Sequence, residues 1–134
     1  MLRSYLKIAF RENRAFSVVY IAVLCIGITA CNRSVLNSAL TVQPGKQFRL
    51  GGNQKGAFTV QVKNVGNVPV TISERRVDGQ EVTLGTFRPG DGQTVRFSAG
   101  SAALVDNASK QSAQLNLVVT GDKDGLSMGE VNKQ

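Results

Sequence analysis

Phe58-Thr-Val-Gln-Val-Lys-Asn-Val-Gly-Asn-Val-Pro-Val-Thr-Ile72 is the stretch whose reading decides the fold. Phe58, Val60 and Val62 fall on one side of an extended chain, and Thr59, Gln61 and Lys63 on the other. That period of two marks a half-buried strand. Asn64-Val65-Gly66-Asn67 then supplies turn chemistry. Pro69 can open a second strand, in which Val70 and Ile72 resume the apolar phase.

The same grammar extends in both directions. Upstream, Lys46 to Leu50 places Phe48 and Leu50 together. Downstream, Asp78-Gly79 separates two alternating runs, the usual signature of a hairpin. Val82 and Leu84 follow it, and Arg88-Pro89-Gly90-Asp91-Gly92 forms a second compact turn. Val95 and Phe97 alternate next, and Leu115, Leu117 and Val119 give the clearest inward face of all. Ser101 to Asn107 offers room for one short helical turn. Beyond Thr120 the chain turns polar, and Leu126 and Met128 allow either an edge strand or a frayed tail. About seven strands at roughly ten-residue spacing predict an all-β sandwich or barrel.

The first thirty residues have a different character. Arg3, Lys7, Arg11 and Arg14 stand against the single acid Glu12, and Ala15 to Ala30 carries no charge. Basic, then apolar, then small is the order of a secretory signal, and the apolar run is short for a membrane span, which needs roughly 20 residues. The net charge of +7 over 134 residues divides as +3 before Cys31 and +4 after it. A small domain commonly carries such a charge for solubility, so it does not point to nucleic acid. Basic residues stay cytoplasmic, so everything after Cys31 is expected to face away from the cytoplasm.

Ile28-Thr29-Ala30-Cys31 resembles the bacterial lipobox, an aliphatic residue and two small ones before a cysteine. The resemblance implies lipidation at Cys31, cleavage before it, and a location in the cell envelope. Asn32, in place of the aspartate that marks inner-membrane retention in enterobacterial lipoproteins, points to an outer membrane facing the periplasm. Separately, Phe58 to Ile72 and Leu84-Gly85-Thr86-Phe87-Arg88-Pro89-Gly90 resemble the strand–turn–strand units of immunoglobulin-like bacterial cell-surface modules. The expected architecture is a single immunoglobulin-like antiparallel β-sandwich preceded by a signal helix. Residues 1–30 form the signal peptide, 31–38 the lipidated cysteine and linker, 39–120 the sandwich, and 121–134 the tail or edge strand.

Candidate chemistry is sparse. The chain has no histidine, and its two cysteines are Cys25, in the apolar run, and Cys31. No Ser-His or Cys-His pair and no imidazole metal ligand is available. Ser109-Lys110 sits in polar, turn-like sequence, without the burial that lowers a lysine pKa. Asp122-Lys123-Asp124-Gly125 fails as a calcium loop, because alignment on Gly125 puts Thr120 and Val131 where acids are required. Arg75-Arg76 could face an anion, although arginines at a strand end are commonly solvated. No tryptophan and no tyrosine follow Cys31, so aromatic platforms for sugars or single-stranded nucleic acid are missing. The expectation is a non-enzymatic, membrane-anchored structural or protein-interaction module without cofactor or metal. Its partners would be the membrane, through Cys31, and another envelope protein. The alternative is an envelope module binding a peptide, lipid or glycan.

Overall fold

The computed structural model describes residues 34–132, and these form two antiparallel sheets with no helix among the described residues. The strands are β1 (Leu36–Val42), β2 (Gln47–Gly51), β3 (Phe58–Asn64), β4 (Val70–Arg75), β5 (Glu81–Phe87), β6 (Gly92–Phe97), β7 (Ala102–Asp106), β8 (Ala113–Gly121) and β9 (Met128–Val131). The expected signal peptide, the expected signal helix and Cys31 lie outside the described residues.

Sheet A runs β1-β8-β3-β6, and sheet B runs β5-β4-β7-β2-β9. Only β4 and β5 are joined as a hairpin within one sheet; every other connection crosses between sheets. Immunoglobulin sandwiches instead keep several consecutive strands together, in the pattern ABED over CFG. The first eight strands here follow the order of a jelly roll, two interleaved Greek keys closed into a flattened barrel. The immunoglobulin-like expectation is therefore corrected at the level of topology. Its strand positions were sound, but the turn at 64–69 carries the chain from sheet A to sheet B instead of folding it back beside β3.

The inward faces agree with the sequence pattern. Phe58, Val60 and Val62 on β3 meet Val70 and Ile72 on β4, Phe97 on β6, and Leu115, Leu117 and Val119 on β8 in one buried cluster. Phe58 and Phe97 stack at 5.0 Å between ring centroids, with planes 18° apart. An offset pair of this kind stabilises by about 0.5–1.5 kcal/mol beyond the area it buries.

One segment departs from expectation. Ser101 to Asn107, read as room for a helical turn, contains β7, the middle strand of sheet B. Its sequence, Ala-Ala-Leu-Val-Asp, shows no alternation because both of its faces are covered: Ala102 to Val105 are all buried. A strand covered on both faces loses the polar half of the period by which strands are recognised. The stretch after Thr120 resolves as an edge strand, β9 pairing with β2. At the other end, β1 begins at Leu36, within the stretch read as linker.

Three buried amides hold the inter-sheet turns. Asn64 Nδ2 donates to the carbonyls of Val68 and Phe87, both at 2.9 Å, and its Oδ1 accepts the Gly66 N–H at 3.0 Å. Asn107 repeats the device after β7. Its Nδ2 donates to Val42 O (3.0 Å) and Gln111 O (2.8 Å), and its Oδ1 accepts the Ser109 N–H (3.0 Å). Gln54 accepts from Gly52 N–H at 2.8 Å and donates to Ser101 O at 2.7 Å. A crossing turn buries backbone groups that no strand pairs, and these amides supply the missing partners.

Candidate functional site

Between the sheets lies a void of about 10 Å³ lined by Phe48, Leu50, Val60, Ile72, Phe97 and Leu117 among other apolar side chains. That is room for about one water molecule at most, and no polar lining would hold it.

Polar side chains converge instead on the outer face of sheet B. Alternation sets Phe48 and Leu50 inward on β2, so Gln47 and Arg49 point outward. On β7, Ala103 and Val105 join the core cluster, so Ala102, Leu104 and Asp106 point outward. The ladder places Gln47 opposite Asp106 on one side and Val131 on the other, Arg49 opposite Leu104, and Arg75 opposite both Ala102 and Glu81. Arg49 and Arg75 thus stand two strands and two residues apart, about 12 Å between α-carbons at ordinary sheet spacings. Between them is a pocket of about 260 Å³, walled by Gln47, Arg49, Arg75, Glu81, Asp106 and Val131, with Asn132 at its edge.

Leu104 is 0 % exposed although it points away from the core. Arg49 is its in-register neighbour, and a long arginine stem can cover apolar surface while its head stays polar. The guanidinium rests against Gly52, where an added Cβ would sit 2.4 Å from Nη2. Gly52 also has φ +111°, a conformation L side chains rarely adopt, so a side chain there is strained whatever the space. Arg49 Nε is buried and makes no hydrogen bond among the described residues. Arg75 Nη2 lies 3.5 Å from Glu81 Oε2, with both side chains about two-fifths exposed. A pair that long and that wet contributes about 0–1 kcal/mol and opens readily. Asp106 is engaged by an interaction within the chain.

The remaining candidates from the sequence fall elsewhere. Arg75 and Arg76 do not act together. Arg75 enters the pocket, whereas Arg76 Nε lies 4.0 Å from Glu74 Oε2, beside a separate depression between the β4–β5 hairpin and the 98–101 turn. Glu74 is buried, and its Oε1 accepts from Ser98 N–H (3.1 Å) and Ser101 Oγ–H (2.8 Å). Burial pushes its pKa up, but the Ser98 and Ser101 hydrogen bonds and the charge of Arg76 outweigh that, leaving it below its ordinary value. The group pins β4 to the β6–β7 turn. Ser109 Oγ lies 2.7 Å from both Asn107 Oδ1 and Gln111 O, so its one proton is donated within its own turn. Asp122 accepts from Gly56 N–H at 2.6 Å and from Asp124 N–H at 3.1 Å, closing a turn. Sequence reading passed over Gln47 and Arg49, whose one visible mark is that they are the polar alternates of Phe48 and Leu50, as in every half-buried strand.

No known protein family matches the chain, and no curated protein matches it. Solved structures do. An uncharacterized conserved protein with a double-stranded β-helix domain from Klebsiella pneumoniae subsp. pneumoniae superposes with a TM-score of 0.51 at 10% identity, over 76% of this chain and 79% of that one. The S161A mutant of Bacillus subtilis oxalate decarboxylase matches with a TM-score of 0.49 at 17% identity, over 75% of this chain and 24% of that one. A Cupin 2 conserved barrel domain protein from Salinispora arenicola matches at 0.44 and 21% identity, over 68% and 66% of the two chains.

The first of these agrees with the strand order: the fold is the double-stranded β-helix. The identification as a lipoprotein carrying an immunoglobulin-like module is therefore withdrawn. So is the expectation that the domain is not an enzyme, which rested on the missing histidine and the sparse catalytic side chains; the fold gives no ground for excluding catalysis. The partners expected with it, a membrane reached through Cys31 and an envelope protein with no metal, are withdrawn on the same finding. One similar structure is described by its Mn(II) centres. Whether a metal suits this chain is a matter of its own donors. Among the described residues no three His, Cys, Asp or Glu side chains form a group that could hold an ion, and the interior is lined by hydrocarbon. The residues present do not fit a metal inside the barrel, and no chemical step is derived through one.

Proposed function

We propose that the domain is a ligand-binding module whose site is the charged pocket on the outer face of sheet B. The observation that carries this reading is the contrast between the two sides of that sheet. The inner side is packed shut, while the outer side gathers two arginines, a glutamine and two carboxylates around about 260 Å³ of open space. Pockets for drug-sized molecules span roughly 300–1,000 Å³, so the ligand is small, and the walls make it polar. The test is an NMR titration of the isotope-labelled protein with pooled polar metabolites. Backbone signals of Gln47, Arg49 and Arg75 should move while those of Val60 and Leu117 stay still. Movement of the interior signals instead would sink the reading.

A second reading, protein contact through an added strand, is favoured by β9. This four-residue strand ends sheet B, is exposed along its whole length, and presents Met128 and Val131. An edge of that kind offers unpaired backbone groups to another chain. Replacing Gly129, inside β9, by proline should then abolish capture of a partner without unfolding the domain. We further propose the cell envelope as its location, on the basic-then-apolar order of residues 1–30, and fractionation of cells producing the full chain tests this.

A further inference from the structure

We infer that the ligand of the outer-face pocket is a small zwitterion of the amino-acid type, its carboxylate held by Arg49 and Arg75 and its ammonium by Glu81. This rests on the reading of that pocket as a binding site and adds the ligand's chemistry to it.

The residue types set the choice. Guanidinium is a planar fork matched to a carboxylate, and two of them reach one space from β2 and β4. The Arg49 head group lies against Gly52, and its buried Nε has no acceptor among the described residues. A buried donor without a partner is unfavourable, and a ligand oxygen that draws the guanidinium around would relieve it. Among the described residues Arg75 is held by Glu81 alone, through a long and half-exposed contact. A ligand bearing both charges can enter that contact, giving each partner a new one.

The charge balance discriminates among anions. Among the described residues, the two arginines face the carboxylate of Glu81, and Asp106 is already engaged within the chain. A phosphate dianion gains from the arginines but meets Glu81 at close range. A simple monocarboxylate leaves Glu81 without its arginine once Arg75 turns to the ligand. A simple amine leaves the arginines unused. A zwitterion compensates both signs, and the volume limits it to a small one.

The experiment is calorimetric titration of the full chain with glycine, acetate, methylamine and inorganic phosphate, each separately. Glycine should bind at least about tenfold more tightly than acetate or methylamine, the worth of one charge-assisted hydrogen bond. Arg75→Gln, at a half-exposed position, should remove glycine binding with the fold intact by circular dichroism. Arg49→Gln should do the same, and if it fails to fold, Arg75→Gln decides. Lys63→Gln, on the opposite sheet, should change nothing. Equal affinity for acetate, tighter binding of phosphate, or glycine binding that survives Arg75→Gln overturns the inference. Should pooled metabolites move the pocket's NMR signals while none of the four probes binds, the ligand class is wrong and the site reading stands. Silence in both experiments overturns both.

Discussion

Asn64→Ala tests the claim that buried amides hold the turns between the sheets. Asn64 is 0 % exposed and makes three hydrogen bonds, at 2.9, 2.9 and 3.0 Å. A net value of about 0.5–1.5 kcal/mol for each gives a loss of about 1.5–4.5 kcal/mol. The carbonyls of Val68 and Phe87 are left buried, which moves the expectation to the upper half, about 3–4.5 kcal/mol. A domain of this size has a total stability of about 5–15 kcal/mol, so a large share is at stake. At about 4–8 °C per kcal/mol, the melting temperature should fall by on the order of 10–35 °C. Urea denaturation followed by circular dichroism measures the loss. Asn37→Ala, on the exposed side of β1, should stay within about 0.5 kcal/mol of the parent. Asn64→Asp adds a sharper criterion. It keeps an acceptor for Gly66 but turns a carboxylate toward two carbonyl oxygens, so it should be worse than alanine. If Asn64→Ala costs under about 0.5 kcal/mol, or if aspartate outperforms alanine, the turn is held by something else.

Three further outcomes follow from the same geometry. Glu74 has a folded-state pKa below its ordinary value, so its stabilisation is present in full above the unfolded pKa of about 4.5 and is lost as pH falls through the folded value. Glu74→Gln should therefore flatten the acid limb of a plot of stability against pH below that point, and an unchanged limb refutes the role. Val60→Asp buries a carboxylate beside Phe58 and Phe97 and should abolish soluble expression, whereas Gln61→Asp, one residue on and facing solvent, should barely move the melting temperature; the reverse order would mean a slipped register. Phe97→Ala removes a fully buried ring together with its stack on Phe58 and should cost about 3–5 kcal/mol by denaturant titration.

The strands and their inward faces were legible because alternation is a local property. Each of Phe58, Val60, Val62, Leu115, Leu117 and Val119 reports its own burial through the polarity of its neighbours. The β4–β5 hairpin was equally plain, since Asp78-Gly79 needs only its own four-residue turn: Gly79 takes φ +86°, and Asp78 Oδ1 accepts the Gln80 N–H at 2.9 Å. The β7 segment was missed because its alternation vanishes when both faces are buried. Leu104, buried on the outer side, has no local signal at all.

Pairing partners are another matter. β1 and β3 both pair with β8, and β2 pairs with β7 and β9, across long stretches of intervening chain. A turn such as Asn64 to Asn67 reads the same whether the next strand returns to its own sheet or crosses to the other. Global packing chooses between them, and that choice separates a jelly roll from an immunoglobulin sandwich. The pocket depends on the same choice. Arg49 from β2, Arg75 from β4, Glu81 from β5 and Asp106 from β7 come together only because sheet B sets those strands side by side. None of them, alone in the sequence, is distinguishable from an ordinary polar residue of a strand. Local periodicity determines where strands lie and which way they face, whereas a site built across strands exists only once long-range pairing has brought its parts together.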